Sequence, residues 1–338
     1  MSPRKRLTSA AMFTVLFGTL AIVLLAAEKP AAFDRVQGVV ESIVASSKGT
    51  IGVAVKHLES GEGFSVNGDA SLPLASVVKL PILTEVMAEI KDGRFGLSDM
   101  WSLEPSDQFY DGSLLSDLKA PGLSVSVENL INLMMWLSDN TATDVLLNRV
   151  GIDRVNARMR FLGIDDILVG RTIRELLLDY YVGDSRKFSS MPKDEFARLY
   201  DRMALENPGA LTEARADFAD NPADHATPMA INALLEKIFR KEILDPASCD
   251  HIFKVMAGCQ TGENRIRGLL PRHTVVAHKT GTIGGTINDC GIIVLPGGAG
   301  HVALSILSRD TDPDHAEEAI ALISKTVYDY FLFTGRGD

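Results

Sequence analysis

Strand-like patterns occupy the two ends of this chain and leave its middle helical. From Thr50 to His57, apolar Ile51, Val53 and Val55 recur at every second position, a turn of Glu59-Ser60-Gly61-Glu62-Gly63 follows, and Phe64-Ser65-Val66 returns as a hairpin partner. Thr274 to His278, Ile287 to Leu295 and His301 to Ser308 show strand character again, with Pro296-Gly297-Gly298 as the last turn. Helical spacing at Phe33 to Ala45 and Glu317 to Phe333 adds a helix at each end. Strands so far apart must meet in one sheet to bury their apolar sides. The pattern therefore predicts an α/β (α+β) fold, with an antiparallel sheet from N- and C-terminal strands flanked by helices. An all-helical subdomain, about residues 80 to 270, is inserted between them. The cleft is expected where the two parts meet.

Within the insertion, an apolar run predicts a helix from near Ser76 through Ile90, ending near Gly93. Trp101 to Ala120, broken by Pro105, Asp107, Gly112 and Ser113, reads as loops and short turns that organise no core. Ser124 to Leu137 resumes a helix with Leu130, Leu133, Met134 and Leu137 on one face, and it stops at Ser138-Asp139-Asn140. Thr141 to Val150 and Val155 to Leu162 continue the pattern. Residues 168 to 226 resist assignment apart from a short helix at Phe196 to Leu205. Thr227-Pro228 then opens a helix to Phe239, and Ile252 to Met256 and Arg265 to Leu270 read as shorter ones.

With 338 residues and 46 % hydrophobic content the chain can bury the core of one large domain or two modest ones. Its first 27 residues carry Arg4, Lys5 and Arg6, then an uncharged apolar stretch from Ala10 to Ala27, the layout of a secretory signal. Cleavage near Ala26-Ala27 or Ala31-Ala32 would leave about residues 28 to 338 as an exported domain, periplasmic or secreted. The 18-residue apolar run is also close to the minimum for a spanning helix, so an uncleaved membrane anchor is the alternative. Loss of residues 1 to 27 takes three positive charges and no acidic ones, moving the formal charge from −10 to −13, which argues against a nucleic-acid partner. Cys249, Cys259 and Cys290 show no Cys-x-x-Cys spacing, and no pair of histidines stands four apart, so no metal is expected. A Cys249–Cys259 bond and buried free thiols both remain open for an oxidising compartment.

Chemistry enters at Ser76-Val77-Val78-Lys79. On a helix the two polar side chains share one face, and a lysine half buried among Val77, Val78, Leu80, Ile82 and Leu83 can be neutral enough to take a serine proton. Ser-x-x-Lys also occurs at Ser2/Lys5, Ser116/Lys119 and Ser190/Lys193, so the choice rests on context: Ser76 alone opens a long apolar helix. Ser138-Asp139-Asn140 and Lys279-Thr280-Gly281-Thr282 follow in that order. Taken singly, Ser138 reads as a helix cap, Asn140 as a turn residue and Lys279 as a solvated charge.

As an ordered set, the three motifs resemble those of the serine β-lactamase and penicillin-binding protein superfamily, class A most closely. The resemblance continues through Ser138-Asp-Asn-Thr-Ala-Thr-Asp144, Asn264-Arg-Ile-x-Gly-Leu-Leu-Pro271, Val275-Val-Ala-His-Lys-Thr-Gly-Thr282 and Asn288-Asp-x-Gly-Ile-Ile-x-Leu-Pro296, covering nearly all of residues 33 to 334. It implies a β-lactamase/transpeptidase-like fold in which Ser76 attacks a lactam or amide carbonyl and Lys79 is the acylation base. It further implies that the N–H groups of Ser76 and Thr282 hold the oxyanion, that Ser138 relays a proton to the leaving nitrogen, that Asn140 binds the substrate's side-chain amide, and that Lys279 with Thr280 anchors its carboxylate. The implied partner is a small β-lactam or a peptidoglycan-like peptide, with no metal or organic cofactor.

The chain departs from the family at the glutamate that activates the deacylating water, which the family carries in an Arg-x-Glu-Pro-Glu-Leu-Asn run. Here Arg174-Glu175-Leu176-Leu177-Leu178-Asp179 stands instead. With Arg174 on the family's arginine, Glu175 is one residue early and the proline and asparagine are missing. Glu175 is the first candidate base, with Asp179, Asp184 and Glu195 behind it; otherwise it is a surface carboxylate paired with Arg171 or Arg174. Three activities follow: a β-lactamase, a D-Ala-D-Ala peptidase, or a penicillin- or peptidoglycan-binding module that deacylates slowly or not at all.

Overall fold

Residues 31–219 and 221–334 are described in the computed structural model of the chain. The expected signal or anchor, residues 1 to 27, lies outside the described residues. Among these, no helix is long and apolar enough to cross a membrane.

The two strand groups do meet. Gly63–Val66, Thr50–His57, His301–Arg309, Thr286–Val294 and Val276–Ile283 lie side by side in that order, each neighbour antiparallel to the next. Val53 stands opposite Ile306, and Lys279 opposite Cys290. Because successive side chains point to opposite faces, Ile51, Val53, Val55, Val302, Leu304 and Ile306 share one core with Phe33, Val40, Ile320, Ile323 and Val327. Those last five come from the terminal helices Ala31–Ser46 and Pro313–Thr334. The interleaved Ala277, Cys290, Ile292, Ala303 and Leu307 face the larger core of the helical part.

At the centre of that larger core runs the helix Lys79–Lys91, buried at every residue from Lys79 to Glu89. A helix enclosed on all sides must find partners for its charges. Arg158 reaches Glu85 at 2.8 Å, and Arg154 and Arg94 each reach Glu89 at 2.8 Å.

Three expectations need correction. The segment Trp101 to Ala120 does contribute to the core: Met100–Leu103 pairs with Leu123–Ser126, and Leu103, Phe109 and Leu115 are buried. The pairing partner lies about twenty residues on and leaves no local periodicity to read. The helix expected from Ser124 begins at Val127, capped by the Ser126 hydroxyl, which accepts from Asn129 N at 3.2 Å. Arg265 to Leu270 is a run of turns, its arginine drawn into the sheet. Of the two alternatives left open for the cysteines, buried free thiols hold at all three.

Residues 168 to 226 contain Ile173–Val182, Ser185–Phe188, Lys193–Glu206 and Pro208–Ala219 as helices. The first three pack around a small separate core of Phe109, Leu178 and Phe196, and Pro208–Ala219 lies against Ile173–Val182.

Candidate active site

Ser76 sits on a single 3-10 turn, Ala75–Val78, that runs directly into the helix Lys79–Lys91. Ala75 has φ 45°, so the chain reverses sharply just before the serine. Three residues on, the fully buried Lys79 amine lies 3.0 Å from Ser76 Oγ, 2.8 Å from Ser138 O, 3.0 Å from Ser138 Oγ and 2.7 Å from Asn140 Oδ1. Four oxygens surround a group that has at most three hydrogens. Burial and the neighbouring Lys279 hold this amine well below the ordinary lysine range, against the opposing pull of Asp139, Asp144 and Asp111. A neutral amine fits the geometry: it donates to the two carbonyl oxygens, which only accept, and offers its lone pair to a serine hydroxyl.

Ser138 has φ 59°, an uncommon conformation that turns both its carbonyl and its hydroxyl onto Lys79. Asp139 secures it. One carboxylate oxygen caps the helix Asn140–Val150 through Ala142 N at 2.8 Å, and the other accepts from Leu115 N at 2.8 Å. Lys279, fully buried on the edge strand Val276–Ile283, donates to Ser138 Oγ at 3.0 Å and to Thr280 O at 2.8 Å. Burial pulls its amine down to about 8 against the attraction of Cys259 and Asp289. Ser76, Lys79, Ser138, Asn140 and Lys279 are thus joined by one set of contacts, with Thr280 and Thr282 following on the same strand.

Asn288 and Arg265 support the site, although the sequence reading gave neither a role. Asn288 donates to Pro73 O at 2.8 Å and Leu74 O at 3.0 Å while accepting from Ser308 N at 2.7 Å, which ties the Ser76 turn to the sheet. Arg265 reaches Thr282 Oγ1 at 2.7 Å, Gly281 O at 3.1 Å and Glu317 Oε1 at 3.0 Å. A Cβ at Gly281 would lie 2.5 Å from Leu74 O and 3.2 Å from Ser76 N, so only glycine lets the strand approach the serine turn this closely.

Glu175 is placed otherwise than the first-candidate reading expects. It closes a capping box at the start of the helix Ile173–Val182, accepting from Thr172 N at 2.8 Å and Thr172 Oγ1 at 3.0 Å; neither Ser76 nor Lys79 is among its partners. The expected pairing with an arginine is also absent. Arg171 binds Asp179 at 2.6 Å and Asp224 at 2.7 Å, while Arg174 donates to the carbonyls of Ser106, Gln108 and Met191. Asp179 further accepts from Ser185 N at 2.7 Å, Asp184 caps Lys187 N at 3.0 Å, and Glu195 lies in the first turn of Lys193–Glu206.

The buried Arg171 offers a better anchor for the family's run than Arg174 does. Laid on Arg171, the run matches at Arg171, Glu175 and Leu176, and its catalytic glutamate falls on Ile173. Ile173 is buried, and its N–H donates to Asp144 Oδ1 at 2.7 Å while Arg174 N donates to Oδ2 at 2.8 Å. Burial raises Asp144 to about 7 in spite of those two donors and the nearby Lys79. One carboxylate therefore connects the backbone at Ile173 to the neighbourhood of the buried amine.

Comparison with known proteins agrees with the architecture. A family model described as the beta-lactamase enzyme family matches residues 35–331. Over 305 residues the chain is 27 % identical to beta-lactamase VEB-1 of Pseudomonas aeruginosa, spanning 87 % of this chain and 89 % of that one. Extended-spectrum beta-lactamase PER-1 of the same organism is 26 % identical over 303 residues, spanning 87 % and 86 %. Among solved structures, TLA-3 extended-spectrum beta-lactamase superposes with a TM-score of 0.72 at 27 % identity, covering 89 % of this chain and 99 % of that one. The structure of PBP-A superposes with a TM-score of 0.69 at 22 % identity, covering 88 % and 96 %, and so shares the fold.

Proposed function

The chain belongs to the beta-lactamase enzyme family, and from that membership we propose that it opens the amide bond of β-lactams through an acyl-enzyme on Ser76. It is a class A β-lactamase-like serine hydrolase. The observation that carries the assignment of roles is the buried Lys79 amine within 3.0 Å of both the Ser76 and Ser138 hydroxyls. Neutral Lys79 takes the Ser76 proton as Oγ attacks the lactam carbonyl. The N–H groups of Ser76 and Thr282 receive the oxyanion, each worth about 3 kcal/mol in comparable sites. Ser138, between the two lysines, passes a proton to the departing nitrogen. Lys279 with Thr280 holds the substrate carboxylate, and Asn140, its carbonyl fixed by Lys79, binds the side-chain amide. No step calls for a metal or an organic cofactor. The layout of residues 1 to 27 supports export of the domain to the periplasm or medium, where β-lactams and peptidoglycan-like peptides are met.

A second reading is favoured by Ile173. If the family's glutamate position is filled by an apolar side chain, acylation proceeds but water is poorly activated, a loss of roughly 10²- to 10⁴-fold in release. The molecule would then act as a slow β-lactamase, or as an acyl-enzyme trap that handles peptidoglycan-like peptides. Incubation with a chromogenic cephalosporin and a fluorescent penicillin, with colour release and adduct mass followed together, separates these. Fast colour with little adduct supports turnover, and a persistent adduct supports the trap. An adduct that survives Ser76→Ala removes Ser76 as the nucleophile, and with it the whole assignment.

A further inference from the structure

The helices after Arg171 touch the site on both of its walls. On one side they hold the loop that supports the second motif. Phe109 packs on Phe196 with 4.9 Å between ring centroids, and the Arg174 guanidinium lies 5.1 Å over Phe109 while donating to the carbonyls of Ser106, Gln108 and Met191. Lys193 reaches Ser116 O at 2.5 Å and Asp117 Oδ1 at 3.0 Å, and the same loop gives Leu115 N to Asp139, the residue beside Ser138. On the other side the helices meet the tip of the hairpin made by Val276–Ile283 and Thr286–Val294. A Cβ at Gly284 would lie 3.3 Å from Tyr180 Cε2 and 3.7 Å from its hydroxyl, so the tyrosine lies against the turn two residues past Thr282. Phe218 and Tyr181, each 5.4 Å away, and the Arg215 guanidinium, 5.4 Å over the ring, hold Tyr180 there. Behind the hairpin tip the wall is solid: Ala75, Ile283, Arg171, Leu176 and Phe218 surround a cavity of only about 10 Å³, room for roughly one water.

The strand sets the direction in which a substrate must lie. With its carboxylate at Lys279 and Thr280 and its carbonyl oxygen at the Thr282 N–H, the acyl side chain continues along the strand toward Gly284. Val276–Ile283 is the outermost strand of its sheet, and an outermost strand can pair with an extended chain. Such a chain advances about 3.3 Å per residue, in step with the strand, so it meets Tyr180 at about its second residue beyond the carbonyl.

We propose that Tyr180 is a specificity-determining residue that, with the helices behind it, closes the acyl end of the cleft. A compact acyl group such as that of benzylpenicillin fits, whereas a peptide of about three or more residues paired to the strand is stopped by the tyrosine ring. The substrate class is therefore a β-lactam with a short side chain rather than a long peptidoglycan-like peptide. The obstruction is steric, so phenylalanine would serve as well as tyrosine and a small side chain would not. This selectivity rests on the acyl transfer proposed for Ser76; the contact between Tyr180 and Gly284 does not.

The test acylates the full chain with two penicillins that share one nucleus, benzylpenicillin and an analogue whose side chain is an extended tetrapeptide, and follows the Ser76 adduct of each by intact mass. In the unmutated protein the tetrapeptide analogue should react about tenfold or more slowly than benzylpenicillin. Tyr180→Ala should bring the two rates within about threefold of each other, and Tyr180→Phe, which keeps the ring, should preserve the gap. Equal rates in the unmutated protein overturn the closure, whether or not the variants fold. A gap that survives in folded Tyr180→Ala overturns Tyr180 as the stop, and a gap lost in Tyr180→Phe overturns the steric account. Failure of both penicillins to label Ser76 counts against the proposed function. The nuclear Overhauser contact between the Tyr180 ring and the Gly284 Hα protons then decides the closure: its presence upholds it and its absence removes it.

Discussion

Lys79 has more acceptors around it than an ammonium can serve, and that imbalance fixes how the site should respond to pH. The two lysines titrate in opposite service: Lys79 acts when it has lost its proton, Lys279 when it has kept one. The acylation rate constant with penicillin should rise with pH as Lys79 is freed, then fall as Lys279 is discharged through about 8. Lys279→Arg keeps a permanent cation on the strand, so the fall should disappear even though the planar head lowers the maximum. A rate that stays level from pH 7 to 10 in the unmutated protein would contradict Lys279 as a charged anchor. Glu175 makes the contrasting case. Because its carboxylate is engaged with Thr172, Glu175→Gln should leave the acyl-enzyme lifetime within about threefold of the parent and cost roughly 1 kcal/mol of stability through the weakened cap. A lifetime lengthened a hundredfold, read as persistence of the adduct mass, would restore Glu175 as the deacylating base.

The elements carrying the three motifs were legible because their residue types satisfy two demands at once. Val77, Val78, Leu80 and Ile82 mark a buried helix while Ser76 and Lys79 interrupt it, and such an interruption is costly unless it is functional. The stretch after Arg171 was not legible for the converse reason. Lys193–Glu206 buries only Phe196 completely, so little apolar periodicity records its packing. The register of the run from Arg171 depends on which arginine is buried, and only the contacts of Arg171 with Asp179 and Asp224 reveal that. This register makes a test at the level of the element. Ile173→Glu introduces a carboxylate beside Asp144, so it should cost stability through like-charge crowding. It should also shorten the acyl-enzyme lifetime by about 10²-fold or more, measured as decay of the penicillin adduct. An unchanged lifetime in a folded variant would mean that Ile173 does not occupy the water-activating position.

Across the whole molecule, the site is a seam: its serine and first lysine belong to the helical part, its second lysine to the sheet. Neither part positions both lysines on its own, and the contacts that hold the seam closed can be separated from the contacts that perform the chemistry. Asn288 is the clearest of these. It is fully buried, lies on the strand next to Lys279, and spends its entire amide on the turn before Ser76 and on Ser308. Asn288→Ala would leave Pro73 O and Ser308 N without their side-chain partner in a dry interior, a cost of roughly 3 kcal/mol. The thermal midpoint should drop by about 5 °C for a chain of this size. More telling is the rate of penicillin labelling measured well below that midpoint, where nearly every molecule is folded. If the sheet sets the position of the serine turn, labelling per folded molecule should fall about tenfold or more, because a displacement of the nucleophile is felt directly in the rate. A variant that melts earlier yet labels at the parent rate would show that the turn Ala75–Val78 holds Ser76 in place without the sheet.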